Sequence, residues 1–393
     1  MRKAVSAARR LGNELEHNGV MSTLFSPLEL RGLTLANRII VSPMCQYVAD
    51  HGKATDWHLI HLGGLALSGA GALFIEATAV EPTGRITHGC LGLWDDATEA
   101  ALAPVFGAVR RYSKTPLVMQ IAHAGRKASS RVPWEGGQMI ALGEGGEGGW
   151  VPDAPSALPH KDGETIPRAL DPAGLRRIRE AFAATARRAV RLGVDGIEIH
   201  AAHGYLLHQF LSPIANRRDD EYGGTLANRL RFPLEVFDAV RDAVPVDRPV
   251  GVRLSATDWV DGGWDLEQTL AFANELKRRG VDWIAASSGG ISPLQKIAPA
   301  PGYQVLFAQA LREATGVKTI AVGLITQAKQ AEAIVAGGQA DGVALARAML
   351  YDPRWPWHAA AELGASVEAP PSYWRAPPHG LSGVFRNTAF GAR

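Results

Sequence analysis

Two imidazoles and a phenol lie within six residues of each other near the middle of the chain, in His200, His203 and Tyr205. They follow directly on the apolar run Val194–Ile199, which is typical of a buried parallel strand. A neutral histidine has an N–H donor, and a tyrosine keeps its proton at neutral pH because its ordinary pKa is about 10. These three side chains could therefore hold a substrate oxygen and deliver a proton.

The same histidines allow two other interpretations. With His208 nearby, His200 and His203 could bind a metal, but zinc needs further ligands of matching geometry and no acidic cluster completes such a set. They could also be core residues without a chemical role. Two histidines at the end of a strand, with a tyrosine two residues further on, favour an oxygen-binding site, and we assign no metal to it.

Eight short apolar segments alternate with helical patterns, and this order predicts a parallel α/β architecture. A clear helical pattern is Leu175–Leu192, which the helix-start pair Asp171 and Pro172 precedes. Eight such units in one chain of this length predict a single (β/α)8 TIM barrel, with chemistry at the carboxyl ends of its strands. The predicted strands are Ile39–Met44, Leu73–Val80, Pro116–Ala122, Val194–Ala202, Val250–Ala256, Val281–Ser288, Val317–Gly323 and Gly342–Ala346.

The remaining segments fit one barrel domain at residues 24–367. A doubly wound dinucleotide-binding sheet would need Gly-x-Gly-x-x-Gly after its first strand, where this chain instead has Ser-Pro-Met-Cys. Leu24–Ile40 alternates enough to form a hairpin that closes the barrel bottom. The Gly- and Pro-rich stretch Lys127–Ile166 is a long loop after the third strand, over the catalytic face, and residues 368–393 form a C-terminal tail.

Composition argues against several classes of protein. The chain has 41 basic and 39 acidic residues, and its net charge of +2 indicates neither nucleic-acid nor membrane binding. No apolar run approaches the roughly 20 residues that cross a bilayer. Two cysteines, Cys45 and Cys90, are too few for a four-thiolate iron–sulfur site or a disulfide framework. Residues 1–23 are basic at their start and lack an apolar signal core, so we expect a disordered extension and a cytoplasmic protein.

Other strand ends supply the rest of a candidate site. Gln120 lies near the end of the third strand, and Arg253 lies in the fifth. Gly323 ends the seventh strand, while Ala346 and Arg347 follow one another at the end of the eighth. Backbone N–H groups and a guanidinium at these last two strands could bind a phosphate, which is a frequent arrangement in such barrels.

The sequence resembles the Old Yellow Enzyme family of FMN-dependent ene-reductases. It is most similar to the thermophilic-like class, which includes the bacterial xenobiotic reductases, over nearly the whole domain. The motifs that carry the resemblance are Ser42–Cys45, Glu76–Val80, Gln120 with His123–Arg126, His200–Tyr205, Asn216–Gly224 and the pair Asn228 and Arg229.

The resemblance implies how FMN is held. Gln120 would bond the pyrimidine edge of the flavin, and Arg253 would lie near its N1–C2 carbonyl, where negative charge collects on reduction. The family usually has glycine where this chain has Ala346, and a methyl group is tolerable if only the backbone N–H is used. The implied cofactor-binding residues are Ser42, Pro43, Met44, Cys45, Ala77, Gln120, Arg253, Gly323, Ala346 and Arg347.

The resemblance also implies a reaction. Hydride would pass from NADPH or NADH to the flavin, and from flavin N5 to the β-carbon of an enone, enal, maleimide or nitro compound. His200 and His203 would bind the substrate oxygen, and Tyr205 would protonate the α-carbon. Cys45 would lie beside the flavin and adjust its potential, and Tyr47 would line the substrate pocket.

The tail motif Tyr373–Arg375 matches a C-terminal segment that, in this class, reaches the site of a neighbouring subunit. Trp374 and Arg375 would then line a partner's substrate pocket, in a homodimer or a homotetramer. Two other functions remain open at this point. One is a metal-dependent barrel hydrolase that uses His200 and His203, and the other is a flavin-binding protein without ene-reductase turnover.

Overall fold

The protein is described here by a computed structural model that covers residues 22–144, 148–381 and 383–389. Eight parallel strands form a closed barrel, and each overlaps one of the eight predicted strands, so the predicted TIM barrel is confirmed. The strands are β1 Leu28–Leu30, β2 Leu33–Leu35, β3 Ile39–Val41, β4 Ala72–Ala79, β5 Leu117–Ala122, β6 Asp153–Ala154, β7 Arg168–Ala169, β8 Gly196–Ala201, β9 Val250–Ser255, β10 Trp283–Ser287, β11 Lys318–Ala321 and β12 Gly342–Leu345.

The barrel consists of β3, β4, β5 and β8 to β12, hydrogen-bonded in chain order and closed by the pairing of β12 with β3. Helices follow the strands on the outside. They are α1 Asp56–Ala66, α2 Asp96–Tyr112, α3 Pro172–Arg191, α4 Leu206–Leu211, α5 Leu226–Ala243, α6 Leu266–Arg278, α7 Val305–Thr315, α8 Ala328–Ala336, α9 Arg347–Tyr351 and α10 Trp355–Glu362. In the part of the chain that the structure covers, no helix is both long and apolar enough to cross a membrane.

Helix α3 shows why the sequence pattern was sufficient to predict it. The Asp171 carboxylate accepts a hydrogen bond from the Gly174 amide, which caps the first turn, and Pro172 occupies the first helical position. Its buried residues recur at intervals of three or four, for example Leu175, Ile178 and Phe182. The predicted helix is therefore confirmed.

A hairpin closes the amino-terminal end of the barrel, as the alternation in residues 24–40 predicts. Strand β1 pairs antiparallel with β2, and Leu28 lies opposite Leu35. Its buried leucines belong to a cluster that fills the bottom of the barrel together with Ile40, Phe74, Val118, Trp283 and Ile320. A ligand can therefore enter the barrel only from the carboxyl ends of the strands.

The long loop after β5 contains β6, which pairs in parallel with β7. The loop contacts the β4–α2 connection, because Trp150 Nε1 donates to the Thr83 carbonyl at 3.0 Å. Residues 145–147 of its glycine-rich part lie outside the described residues. The same holds for residues 1–21 of the predicted extension, whereas Ser22 Oγ donates to Glu332 Oε2 at 2.6 Å.

Candidate active site

The turn after β8 brings the three predicted catalytic side chains together. The His200 ring lies 5.0 Å from the His203 ring and 5.0 Å from the Tyr205 ring, measured between centroids. The turn needs left-handed backbone at two successive residues, with φ of 58° at His203 and 74° at Gly204. A Cβ at Gly204 would lie 2.0 Å from the Gly290 carbonyl oxygen, so only glycine fits there.

The hydrogen bonds of the two imidazoles define their tautomers. The Ala202 amide donates to His200 Nδ1 at 3.2 Å, so the His200 proton is on Nε2. His200 Nε2 faces His203 Nδ1 at 3.2 Å, and His203 Nε2 lies 2.6 Å from the Ser287 hydroxyl. Burial, and then the charge of Arg253, lower the pKa of both histidines well below the ordinary value. Both rings are therefore neutral and each has one N–H donor.

Tyr205 is buried at the start of α4. Burial raises its pKa well above the ordinary value, and the neighbouring Cys45 and Tyr47 add to this effect. The phenol therefore keeps its proton throughout the neutral range, as a general acid must.

The first loop of the barrel lies on the same face as Tyr205. The Cys45 thiol interacts with the backbone of Ala77, and both residues are among those implied to line the flavin. Pro43 and Met44 are half-buried between β3 and this thiol. The Tyr47 ring packs edge-on against Trp134, with the centroids 5.8 Å apart.

A cavity of about 240 Å³ connects the predicted phosphate residues with His203. Arg253 Nη1 donates to the Ser42 hydroxyl at 3.0 Å. Arg253 Nε is buried and has no hydrogen-bond partner among the described residues, so the cavity wall presents an unused donor. The implied site residues that line this cavity are Ser42, His203, Arg253, Gly323, Ala346 and Arg347.

This donor set fits FMN. An unused guanidinium N–H suits the oxygen-rich pyrimidine edge of a flavin, which becomes negatively charged on reduction. At the other end of the cavity, Arg347 and the backbone around Ala346 suit a phosphate. The cavity therefore offers donors for both charged ends of the cofactor.

Glu198 is a site residue that the sequence interpretation missed. It lies in β8 and accepts hydrogen bonds from Gln120 Nε2 at 2.7 Å and from Trp283 Nε1 at 3.1 Å. Burial raises its pKa, and the nearby Arg253 opposes the rise. The carboxyl group therefore orients Gln120 from within the barrel. The sequence did contain a signal for Glu198, because it is an acidic residue inside an otherwise apolar strand.

His208 holds the catalytic turn instead of joining a metal site. Its Nδ1 accepts a hydrogen bond from the Gly204 amide at 2.9 Å, and its Nε2 lies 2.9 Å from Asp258 Oδ1. Burial opposes the charge on Asp258, but His208 together with hydrogen bonds from Ser212 and the Trp264 amide lowers the pKa of this carboxyl. Because His200 and His203 contact each other and His208 faces Asp258, the three imidazoles do not converge on one point.

Within a single chain, Trp374 and Arg375 lie far from His200, His203 and Tyr205. Trp374 Nε1 donates to the Ala369 carbonyl at 3.0 Å, and Arg375 is exposed. Trp374 borders a second cavity, of about 330 Å³, whose wall includes Gly71 and Pro116, the residues just before β4 and β5. It therefore lies at the amino-terminal end of the barrel, and the structure does not bring these two residues to their own chain's site.

A TIM barrel with this cavity and these proton-bearing groups at its carboxyl end defines a cofactor-dependent barrel enzyme. The chain belongs to the NADH:flavin oxidoreductase / NADH oxidase family, whose sequence model matches residues 23–365.

Two relatives and one solved structure illustrate the similarity. The chain is 44% identical over 356 residues to an NADPH dehydrogenase of Geobacillus thermodenitrificans, covering 90% of this chain and 98% of that protein. It is 42% identical over 360 residues to an NADPH dehydrogenase of Listeria monocytogenes, covering 91% and 99%. The structure of morphinone reductase superposes with a TM-score of 0.72 at 31% identity, covering 94% of each chain.

Membership in this family confirms the predicted resemblance and the predicted enzyme class. The protein is a flavin-dependent NAD(P)H oxidoreductase with FMN as its cofactor. A solved complex of a morphinone reductase variant contains tetrahydroNAD, which agrees with a nicotinamide dinucleotide as the second cofactor.

Proposed function

We propose that this protein is an ene-reductase that takes hydride from NADPH or NADH and reduces activated C=C bonds. The substrates would be enones, enals, maleimides and nitro compounds. The observation that carries this proposal is the contact cluster of His200, His203 and Tyr205 at the end of the cavity that Arg253 and Arg347 line.

The two neutral imidazoles would bind the carbonyl or nitro oxygen of the substrate. His200 Nε2 donates to His203 Nδ1, and His203 Nε2 donates toward the Ser287 hydroxyl. Each imidazole could turn its N–H donor onto a substrate oxygen. Such donation withdraws electrons from the conjugated alkene and makes its β-carbon electrophilic. Bound FMN, once reduced, supplies the hydride. Tyr205 then gives its proton to the α-carbon.

Three polar side chains at the carboxyl end of the barrel would hold the cofactor, and one of them would favour its reduced form. Arg253 is fixed by Ser42 and has an unused N–H, so it would bond the flavin where negative charge develops. Gln120, oriented by Glu198, would bond the pyrimidine edge. Arg347 would bind the phosphate.

We further propose that the protein is a homodimer or homotetramer, and the free thiols favour the cytoplasm. Helix α1 exposes Trp57 and Ile60, and α9 exposes Tyr351, which is 95% accessible. Arg354 Nη1 donates to the Gly64 carbonyl, so the end of α1 lies against the connection that follows α9. Adjacent exposed apolar residues of this size are typical of a subunit interface. Trp374 would reach a partner's site in such an assembly.

The test is spectroscopic. The purified protein should show flavin absorbance, lose it anaerobically on addition of NADPH, and regain it on addition of 2-cyclohexenone. Bound metal without flavin would instead support the hydrolase hypothesis. A flavin that NADPH bleaches but that neither enones, maleimides nor nitroalkenes reoxidise would support a flavin-binding protein without ene-reductase turnover.

A further inference from the structure

Lys127 is a cation in direct contact with the turn that carries His203 and Tyr205. Its Nζ donates to the His203 carbonyl at 2.9 Å and to the Gly290 carbonyl, in the loop after β10, at 3.0 Å. The same Nζ lies 5.2 Å from the centroid of the Tyr205 ring. Both hydrogen-bond acceptors are neutral carbonyl groups, so neither cancels the positive charge. Lys127 therefore joins the two loops and places its charge beside the phenol.

The fold holds Lys127 in this position through the residues just before it. Lys127 ends a one-turn 3-10 helix that follows β5. Gln209 on α4 accepts a hydrogen bond from the Arg126 amide at 3.2 Å and donates to the Gly204 carbonyl at 2.7 Å. A Cβ at Gly125 would lie 2.4 Å from the Gln209 side-chain amide, so glycine allows this close approach. The backbone at Lys127 is thus fixed relative to the catalytic turn independently of its ammonium group.

The charge of Lys127 acts on the two imidazoles as well as on the phenol ring. After burial and the charge of Arg253, Lys127 is among the positive charges that lower the pKa of His200 and of His203. A cation that disfavours positive charge on these rings favours negative charge on an oxygen bound to them. One ammonium group therefore faces both the oxygen-binding imidazoles and the proton donor.

We propose that Lys127 is a positioning residue for ene-reduction whose ammonium group stabilises the negative charge that develops on the substrate oxygen and on Tyr205. When hydride adds to the β-carbon, the electron pair of the C=C bond moves toward the oxygen that His200 and His203 hold, which gives an enolate or nitronate. When the α-carbon takes the proton of Tyr205, the phenol becomes a phenolate until solvent returns a proton. This inference rests on the proposed function and adds a cation to its site.

The contribution of this ammonium group depends on pH on the alkaline side of neutrality. Burial, and then Arg126, lower the pKa of Lys127 from 10.5 to about 8, so the charge is present at pH 7 and lost as pH rises through about 8. In this range burial keeps the histidines that face Lys127 neutral and the phenol protonated. The ionisable groups that face Lys127 are Arg126, His160, Lys161, Glu164, His200, His203 and Tyr205.

The experiment measures the dissociation constant of p-hydroxybenzaldehyde from its charge-transfer band with the flavin, at pH 6.5 to 9.5. The FMN-loaded wild type is compared with Lys127→Met, and the ionisation of the ligand itself cancels in the ratio of their dissociation constants. We expect the wild type to bind about tenfold more tightly at pH 7, and this ratio should fall as pH rises through about 8 because the lysine loses its charge. The ratio of their rates of flavin reoxidation by 2-cyclohexenone should fall in the same way.

Lys329→Met, at an exposed position of α8, is the matched control and should follow the wild type at every pH. Lys127→Gln replaces the methionine variant if that variant does not fold. A ratio that is the same at every pH would indicate a purely structural contact and overturn the proposal, as would equal affinities or a wild type without the band. If 2-cyclohexenone reoxidises the flavin of no variant, the proposed function fails, and the p-hydroxybenzaldehyde titration alone then decides whether Lys127 stabilises a bound oxygen anion.

Discussion

At the scale of single residues, the site depends on side chains kept in their uncharged forms. Burial beside Arg253 keeps His200 and His203 neutral, and burial keeps Tyr205 protonated. A charged imidazole would be unfavourable here because the arginine already supplies positive charge without water to screen it. Oxygen binding by the two histidines is therefore expected to be independent of pH across the neutral range.

Tyr205→Phe should separate the two half-reactions. Removal of the phenol takes away the proton for the α-carbon, so reoxidation of the reduced flavin by 2-cyclohexenone should slow by about 10²-fold or more. Reduction of the flavin by NADPH needs no such proton and should keep its rate. Anaerobic stopped-flow absorbance measures both steps, with Tyr222→Phe, whose hydroxyl bonds Glu235 on α5, as a control. Unchanged reoxidation in Tyr205→Phe would refute the assignment.

Lys127 should make the free energy of unfolding depend on pH in the alkaline range. Its ammonium donates to the His203 carbonyl at 2.9 Å, and burial, followed by Arg126, lowers its pKa from 10.5 to about 8. Between these two values the unfolded chain holds a proton that the folded chain has lost, so this lysine makes stability rise with pH in that window.

The free energy of unfolding, measured in urea at pH 7.5 to 10.5, should therefore rise with pH more steeply in the wild type than in Lys127→Met. The exposed Lys329 on α8 provides the control, and Lys329→Met should follow the wild-type slope. Parallel slopes for the wild type and Lys127→Met would show that the ammonium titrates as it does in the unfolded chain.

At the scale of elements, the turn between β8 and α4 is clamped by its neighbours. The Ser255 hydroxyl, at the end of β9, accepts from the His203 amide at 3.0 Å and donates to the Gly289 carbonyl at 2.9 Å. His208 and Asp258 hold the same turn from the other side. The two imidazoles and the phenol thus keep their geometry because residues after β9 and β10, and helix α4, fix the backbone between them.

Asp258→Asn should loosen this turn without touching the cofactor. An amide oxygen is a weaker acceptor for the His208 Nε2 proton than a carboxylate, so the His208 ring that accepts from the Gly204 amide is held less firmly and the imidazoles shift. We expect affinity for p-hydroxybenzaldehyde, read from its long-wavelength charge-transfer band with the flavin, to fall roughly tenfold. FMN content should be unchanged, and Asp242→Asn, on exposed α5 surface, serves as the matched control. A wild-type titration curve for Asp258→Asn would show that the pair does not position the histidines.

At the scale of the whole molecule, one end of the barrel is closed and the other end carries the candidate active site. The hairpin of β1 and β2 fills the amino-terminal end, and the cavity that Ser42, Arg253 and Arg347 line lies at the carboxyl end. The tail packs on its own barrel through the Val367 amide, which donates to the Val384 carbonyl at 2.8 Å. This packing keeps Trp374 at the closed end of the barrel, away from the cavity at the carboxyl end.

The exposed apolar surface of α1 and α9 should be a subunit interface. Light scattering after size-exclusion chromatography should show an oligomer for the wild type and a monomer for the double variant Ile60→Asp with Tyr351→Asp. Leu306→Asp, an exposed apolar position on α7, should leave the assembly intact.

If the tail acts in trans, the monomeric variant and Arg375→Ala should both raise the KM for 2-cyclohexenone. A wild type that elutes and scatters as a monomer would contradict the interface.

The sequence by itself determined the barrel and predicted residues for the candidate site. The periods of apolar residues and the cap at Asp171 are local signals, and they were enough to predict eight strands and the α3 helix. In a parallel barrel the carboxyl ends of all strands lie on the same face. Residues near those ends, such as Gln120, Arg253 and Arg347, are therefore brought to that face regardless of the loop conformations. That is why some of the predicted residues, among them Ser42, Arg253 and Arg347, line one cavity.

Only the tertiary structure decided which side chains touch across different loops. Glu198 beneath Gln120 and Asp258 against His208 join positions 78 and 50 residues apart, and no local period relates them. Their meeting depends on the path of each loop and on backbone approach at glycines, which a pattern of hydrophobicity does not encode. The position of the tail has the same cause, because its packing is set by contacts with distant elements.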